Sequence, residues 1–191
     1  MSKVKVLVFS GSIRKAPFNK KLAAVAAQSA ETKADVTLLD LADFPLPLYD
    51  GDLEASDGLP TNVKKLRRMF DEHDAFIIAS PEYNGFFSPL LKNTIDWISR
   101  SDAEEPDLAP YKRKVAALLA ASPGGLGGLR ALPGLRQLLS GIGVLVVPSQ
   151  LAVGGAMNVF DEDGQLKDES WQPKIDSVVE DLVRTTAALK A

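Results

Sequence analysis

The stretch KVKVLVFSGSIRKAPFN (Lys3 to Asn19) changes character halfway along its length. Its first half is a nearly continuous apolar run, Val4 to Phe9, typical of a strand buried on both faces of a parallel sheet. Small and polar residues follow, with one Arg and one Pro, and then Phe18, Leu22 and Val25 recur at helical spacing over an Ala-rich segment. The stretch therefore predicts a buried strand, a polar loop and a helix in that order.

The same alternation continues along the chain. Further apolar runs predict four more strands, over Val36–Leu41, Ala75–Ala79, Val115–Ala121 and Val144–Val147. Helical patterns lie between them, one capped by Thr61 or Asn62 and one opening with Ser88 and Pro89. We expect residues 42–60, which carry three Pro-interrupted turns, to form a long loop. Alternating strands and helices predict a three-layer α/β domain, a single one over residues 1–191.

Composition excludes several classes of function. A net charge of −3 and the absence of a concentrated basic face argue against nucleic-acid binding. We expect the basic residues Lys64, Lys65, Arg67 and Arg68 to form a solvated helix face. The chain has no cysteine and no cluster of metal ligands by sequence, so we expect no disulfide, no metal and no cysteine nucleophile. No signal peptide or membrane span is apparent, and a cytoplasmic location is the expectation.

Ligands of such sheets bind beyond the carboxyl ends of the strands, which directs attention to the loops at 10–18, 41–60, 80–88 and 121–128. In the first loop, Ser12 and Asn19 can donate hydrogen bonds and Arg14 adds a charged fork, beside a helix N-terminus that favours anions. An anion site is one interpretation of this loop. A capped turn with a solvated Arg is the other, and the known nucleotide fingerprints G-x-G-x-x-G and G-x-x-x-x-G-K-[ST] are absent.

The loop after the third strand, in SPEYNGFFSPLLKNTIDW (Ser80 to Trp97), suits a flat aromatic ligand. Gly85 is free to adopt positive φ, and backbone amides could read the polar edge of such a ligand while aromatic side chains contact its face. For Phe86 and Phe87 a place in the core or a subunit interface is the preferred interpretation. The glycines of SPGGLGG (Ser122 to Gly128) permit close backbone approach to a ligand, and would equally suit a flexible lid.

Three motifs in the expected order, GSIRKAPFN, PEYNGFFSPLLKNTIDW and SPGGLGGLRAL, resemble the NADPH-dependent FMN reductase family of flavodoxin-like proteins, which includes quinone, chromate and azo-dye reductases. The likeness spans Lys3 to about Val153. It implies a five-stranded parallel sheet of order 2-1-3-4-5, bound FMN, and NADPH or NADH as co-substrate. It also implies a homodimer or homotetramer with flavin sites near the interface, and the apolar loop Phe44 to Glu54 has the character of a contact surface.

The resemblance assigns cofactor-binding roles residue by residue. The FMN phosphate would be held in the first loop and the isoalloxazine ring between the second and third loops. The residues implied are Ser12, Arg14 and Asn19 for the phosphate, Pro81, Glu82, Tyr83 and Asn84 for one side of the ring, and Ser122, Gly124 and Gly125 for the other. No catalytic side chain is implied, because the flavin carries the chemistry.

One position departs from the family pattern G-S-x-R-x-x-S-x-N. Pro17 stands where the second serine is expected, and it brings neither a hydroxyl nor a backbone N–H. The functional hypothesis is an NAD(P)H oxidoreductase passing hydride through FMN to a small acceptor by alternating half-reactions. The alternatives are an FMN electron carrier without steady-state reductase activity and a scaffold that has lost the flavin.

Overall fold

The computed structural model describes residues 3–15, 17–101 and 106–190. Its central sheet is fully parallel, with strand order β2-β1-β3-β4-β5, which confirms the predicted fold class and order. The strands are β1 (Lys5–Ser10), β2 (Asp35–Leu39), β3 (Ala75–Ala79), β4 (Val115–Ala121) and β5 (Leu145–Val153). The domain predicted over residues 1–191 also includes residues 1, 2, 16, 102–105 and 191, which lie outside the described part of the chain.

Helices cover both faces of the sheet. They are α1 (Phe18–Glu31), α2 (Gly51–Asp57), α3 (Thr61–Glu72), α4 (Pro89–Ile98), α5 (Ala131–Gly141), α6 (Ala156–Val159) and α7 (Gln172–Lys190). Short 3₁₀ turns occupy Leu41–Asp43, Ala109–Tyr111 and Glu169–Trp171. Within the described ranges, no helix combines the length and the apolar character needed to cross a bilayer.

The continuous apolar character of β1 follows from its position in the middle of the sheet. Val6 and Val8 point into the core layer under α1 and α7, whereas Leu7 and Phe9 point into the layer under α3, α4 and α5. All four side chains are fully buried. Burial on both faces removes the alternation of apolar and polar residues that a half-exposed strand would show.

The expectation of an uninterrupted loop over residues 42–60 was wrong, because α2 lies within it. Asp50 caps this helix by accepting a hydrogen bond from the Asp52 amide (2.8 Å), and acidic residues in the first turn complement its dipole. No residue of α2 is buried. An exposed helix needs no apolar stripe, and this one therefore left no periodic signal in the sequence.

The predicted boundaries of three elements also needed correction. Strand β2 ends at Leu39 and not at Leu41, where a 3₁₀ turn begins. Strand β5 continues to Val153, well past the predicted end, with a register irregularity opposite Ala116 to Leu118 that accommodates Pro148 on this edge strand. Arg136 satisfies carbonyls around the irregularity, donating to those of Val146 (3.1 Å) and Val147 (2.9 Å). Helix α3 begins at Thr61 after an N-cap at Pro60 with no side-chain cap, so neither Thr61 nor Asn62 caps it.

Candidate functional site

The strand order reverses between β1 and β3. The chain leaves β1 into α1 on one face of the sheet and leaves β3 towards α4 on the other. The two strand ends stay joined, because the Gly11 amide donates to the Ala79 carbonyl (2.9 Å). Crossovers that diverge to opposite faces leave a crevice at the carboxyl ends of the strands, which is where ligands of this architecture bind.

The first loop is fixed at its base and exposed at its tip. Gly11 and Ser12 are buried, while Ile13, Arg14 and Lys15 are exposed. Ser88 fastens the base to α4 by donating to the Gly11 carbonyl (2.8 Å). The Arg14 side chain is exposed beside this fixed base and has no hydrogen-bond partner among the described residues.

Helix α1 presents an uncapped N-terminus beside this loop. Pro17 is its N-cap and offers no side-chain hydrogen bond, and the first turn has no acidic residue. The amides of Phe18 and Asn19 have no acceptor among the described residues. Free amides, the helix dipole and an adjacent exposed Arg form a set of donors suited to a phosphate, so these residues fit the phosphate of FMN.

Ser12 and Asn19 differ in what their side chains can give. The Ser12 hydroxyl oxygen accepts from the Arg14 amide (3.4 Å), which leaves its own hydrogen to donate. Asn19 is buried. Its side-chain amide donates from Nδ2 to the Ala121 carbonyl and accepts at Oδ1 from the Ala121 N–H, at 2.9 Å each. Its side chain joins α1 to the end of β4. The backbone N–H of Asn19, which has no acceptor among the described residues, is a further donor for an anion.

The second loop is a β-hairpin that the sequence reasoning missed. Glu82–Tyr83 pairs with Phe86–Phe87, and the turn between them has positive φ at both Asn84 (53°) and Gly85 (82°). An Asn-Gly pair is the usual sequence of such a turn, so the signal was present. The hairpin holds Tyr83 outwards, with 48% of its surface exposed.

Phe86 and Phe87 point to different sides of the hairpin. Phe87 is buried in the core, as expected. The ring of Phe86 is half exposed and lies over Gly134 of α5, so closely that a Cβ on that glycine would come within 2.3 Å of it. The hairpin is therefore docked on α5 through an aromatic ring.

A second attachment joins the hairpin to α5. Glu82 accepts hydrogen bonds from the Arg130 amide (3.1 Å) and from Arg130 Nε (2.7 Å), and Arg130 Nη2 lies 2.5 Å from Glu82 Oε1. The Glu82 carboxylate is thus engaged with the end of the glycine-rich loop. Arg130 was not among the predicted site residues, and no spacing rule in the sequence pairs it with Glu82.

The glycine-rich third loop divides into two parts. Gly127 (φ +62°) and Gly128 (φ +88°) pack inwards, and a Cβ on Gly127 would lie 2.5 Å from the backbone of Val153. Gly124 and Gly125 are exposed, with nothing within 4 Å of a Cβ placed on Gly125. Ser122 begins the loop, and its hydroxyl accepts from the Gly124 amide (3.2 Å). The inner glycines serve packing, and the outer ones leave an open surface that a ligand could cover.

Parallel pairing in register brings the three loops to one edge. Ser10 is opposite Ala79 in the β1–β3 pair, and Ala79 is opposite Leu119 in the β3–β4 pair. All ten residues assigned by resemblance lie on or next to these loops. Their individual contacts with a cofactor stay predictions.

Comparison with known proteins agrees with this geometry. The family model for NADPH-dependent FMN reductase matches residues 4–158. An NAD(P)H-dependent FMN reductase of Pseudomonas aeruginosa is 35% identical over 167 residues, covering 87% of this chain and 86% of that protein. A quinone reductase of Escherichia coli K12 is 33% identical over 170 residues, 87% of each chain.

A solved structure resembles the whole chain. The flavoenzyme NAD(P)H:(acceptor) oxidoreductase FerB from Paracoccus denitrificans superimposes with a TM-score of 0.83 at 28% identity, covering 98% of both chains. A five-stranded parallel sheet of order β2-β1-β3-β4-β5 with helices on both faces is a flavodoxin-like fold. This chain belongs to the NADPH-dependent FMN reductase family, a family of oxidoreductases.

Proposed function

We propose that this protein is an FMN-dependent oxidoreductase that passes hydride from NADPH or NADH to a small acceptor, such as free flavin, a quinone, an azo dye or chromate. Family membership makes FMN and NAD(P)H the cofactors. The observation that carries the proposal is the uncapped N-terminus of α1 beside Arg14, at the same sheet edge as the hairpin and the open glycines. Together they offer an anion site and a flat apolar site at one crevice.

Each group of residues has a separate task in this proposal. Ser12, Arg14 and the amides at Phe18 and Asn19 would hold the phosphate. Pro81, Glu82, Tyr83 and Asn84 would bound one side of the ring, and Ser122, Gly124 and Gly125 the other. When bound, FMN supplies the hydride chemistry, so no side chain is required as acid or base. The chain's own contribution is to bind, to orient and to limit access of water.

The exposed surfaces of the site suit an enzyme whose two substrates occupy one place in turn. Tyr83 and the open face at Gly125 leave room above the crevice for a nicotinamide and then for an acceptor. Alternating half-reactions would give parallel lines in double-reciprocal plots as both substrates are varied. Intersecting lines would contradict the shared place.

Mixing the FMN-loaded protein with NADPH under anaerobic conditions tests the proposal. Rapid bleaching of flavin absorbance is the expected result. Slow bleaching would instead favour an electron carrier, and failure to take up FMN would favour a scaffold. Steady-state rates across free FMN, quinones, azo dyes and chromate would then identify the acceptor.

The quaternary structure and location belong to the same proposal. We expect a homodimer or homotetramer with a single domain in each copy. The expected contact surface is Phe44 to Glu54, a loop that continues into the first turn of α2. Trp97 Nε1 donates to the Pro47 carbonyl (2.9 Å), which holds this loop against α4 and leaves Leu48 82% exposed at its tip. A chain without cysteine is suited to a reducing cytoplasm, and fractionation of cells that express it would test that location.

A further inference from the structure

The two loops that flank the proposed ring site are fastened to each other by the pair Glu82 and Arg130. Glu82 lies on the first strand of the hairpin, and Arg130 ends the glycine-rich loop immediately before α5. Three short contacts join them, from the amide, Nε and Nη2 of Arg130. Nε and Nη2 of Arg130 both approach Glu82 Oε1, and the Arg130 amide donates to Oε2, so both oxygens of the carboxylate are held.

Burial of the two partners is unequal. The Glu82 side chain is 10% exposed, and that of Arg130 is 65% exposed. A carboxylate that has lost most of its water needs compensation from nearby donors. Arg130 provides it from the solvent side, and the contact of Glu82 with the Arg130 amide also places a negative charge at the N-terminus of α5, whose first turn has no acidic residue.

The backbone beneath this pair is equally close. A Cβ on Gly128 would lie 2.9 Å from the Ala120 Cβ and 3.8 Å from the Glu82 Cβ, so the loop runs directly along the stem of Glu82. Phe86 over Gly134 provides the second, apolar attachment of the hairpin. The hairpin therefore has one apolar and one ionic fastening, and the ionic one is at the crevice.

We propose that Arg130 is a positioning residue, which through Glu82 holds the hairpin tip and Gly124–Gly125 in a fixed relation and offsets a negative charge beside the flavin ring. The part that concerns flavin rests on the proposed function. The fastening itself belongs to the polypeptide and can be tested without a cofactor.

The first experiment measures backbone amide hydrogen exchange in the flavin-free protein. Arg130→Ala should speed exchange in residues 82–87 and 124–130 by about fivefold, because local opening no longer breaks an ion pair. Arg184→Ala is the matched control, since it removes an exposed guanidinium paired with Asp181 (2.9 Å) on α7. Exchange in both loops equal to that of the control variant would overturn the fastening.

The second experiment measures the dissociation constant for FMN and the midpoint potential of bound flavin. Arg130→Ala should raise the dissociation constant about tenfold, a loss typical of a charge-assisted contact. It should also make the potential more negative, because an uncompensated carboxylate disfavours electron uptake. Glu82→Gln should shift the potential in the opposite direction, and Arg130→Lys should restore the potential while recovering only part of the affinity.

The outcomes separate the two proposals. If the wild-type protein binds FMN but the Arg130→Ala and Glu82→Gln variants match it in affinity and potential, Arg130 has no positioning role. Shifts of the potential in the same direction for both variants would also overturn the electrostatic part. If the wild-type protein fails to bind FMN, the proposed function is wrong, and the exchange experiment alone decides whether Arg130 fastens the loops.

Discussion

Pro17 occupies the N-cap of α1 and is the residue at which the first loop departs from the family pattern. Its φ of −86° and ψ of 144° are extended values that a serine at an N-cap also adopts. Its carbonyl already accepts from the amides of Lys20 (3.0 Å) and Lys21 (3.3 Å), contacts that do not depend on the side chain. A serine could therefore replace it without rearranging the helix start.

Pro17→Ser should tighten FMN binding. The substitution adds a hydroxyl and a backbone N–H next to the proposed phosphate position, and one hydrogen bond to a charged group contributes about 1.5–3 kcal/mol. We expect the dissociation constant, measured by quenching of flavin fluorescence, to fall at least about tenfold. Pro17→Ala separates the two additions, because it restores the N–H alone. Affinity of the serine variant equal to or weaker than that of the wild type would contradict this role of the loop.

Single residues also show where the sequence was sufficient and where it was not. The expectation that the basic residues of α3 form a solvated face was wrong for Arg67, which is buried and donates to the Ile98 carbonyl at the end of α4 (2.8 Å). The burial of Arg67 could have been predicted from the sequence, since residues 63, 66, 67 and 70 form one helical face. The hydrogen-bond partner of Arg67 could not be predicted, because the Ile98 carbonyl belongs to a helix whose placement depends on the whole fold.

At the scale of elements, Gly11 and Gly125 have different structural roles in the loops of the candidate site. A Cβ on Gly11 would lie 2.5 Å from Leu91 Cγ and 2.9 Å from Ser88 Oγ, and both neighbours are buried. A Cβ on Gly125 would meet nothing within 4 Å. The first glycine therefore lets β1 and α4 approach, and the second leaves a surface open.

Alanine substitutions at Gly11 and Gly125 should distinguish an effect on the free energy of unfolding from an effect on FMN affinity. Gly11→Ala should lower the free energy of unfolding by about 1–3 kcal/mol, the usual cost of overpacking, in urea denaturation. Gly125→Ala should leave that free energy unchanged within about 0.5 kcal/mol, as for other surface substitutions, but weaken FMN binding. Unaltered FMN affinity in Gly125→Ala would remove Gly125 from the ring site, and a fully stable Gly11→Ala would contradict the packing argument.

The elements that the sequence failed to predict share a physical cause. Helix α2 is only seven residues long and has no buried residue, and the hairpin has only two residues in each strand, so neither carries a hydrophobic period long enough to recognise. Strands β1, β3 and β4 were predicted within a residue or so because their burial on both faces leaves a continuous apolar run. The loop positions of the site followed from those strands, whereas the Glu82–Arg130 contact depends on how two loops meet in space.

For the molecule as a whole, the strand order came from the resemblance to a family and not from the residues alone. Local sequence patterns predict strands and crossovers, but they do not indicate which strands are neighbours in the sheet. The observed order β2-β1-β3-β4-β5 puts the N-terminal strand near the centre of the sheet. That placement is what unites the first and second loops into one crevice.

The proposed oligomer depends on the loop that presents Leu48. Asn93 and Trp97 both donate to the Pro47 carbonyl (2.8 and 2.9 Å), so the loop is held and Leu48 points outwards. Leu48→Glu should shift the mass measured by light scattering towards the monomer, because burying this side chain stabilises an interface by about 2 kcal/mol in each copy. Leu189→Glu changes a leucine of α7 that is also exposed and should leave the mass unaltered. A Leu48→Glu variant with the mass of the wild type would exclude this surface.

Asp74 joins three distant parts of the chain at the opposite end of the sheet. It precedes β3, accepts from the Lys5 amide of β1 (2.9 Å) and lies 2.5 Å from Lys190 Nζ of α7. Burial acts to raise the pKa of Asp74, but the hydrogen bonds from Lys190 and Lys5 and the charges of Lys190 and Lys114 outweigh it, and the pKa lies below its ordinary value. A carboxyl group of this kind stabilises the folded chain in its ionised form.

The stability that Asp74 contributes should therefore depend on pH. Because the folded pKa lies below the unfolded value of about 3.9, the contribution is complete above that value and is lost as the pH falls through the folded pKa. Asp74→Asn should cost about 1 kcal/mol of unfolding free energy at pH 7, and this difference from the wild type should shrink below pH ~4. Asp35→Asn, which removes a more exposed ion pair with Lys3 (3.5 Å), should cost less at both values. A cost for Asp74→Asn that is the same at pH 7 and at pH ~3 would mean that the contact of this residue is steric and not ionic, since only the charged form gains from Lys190.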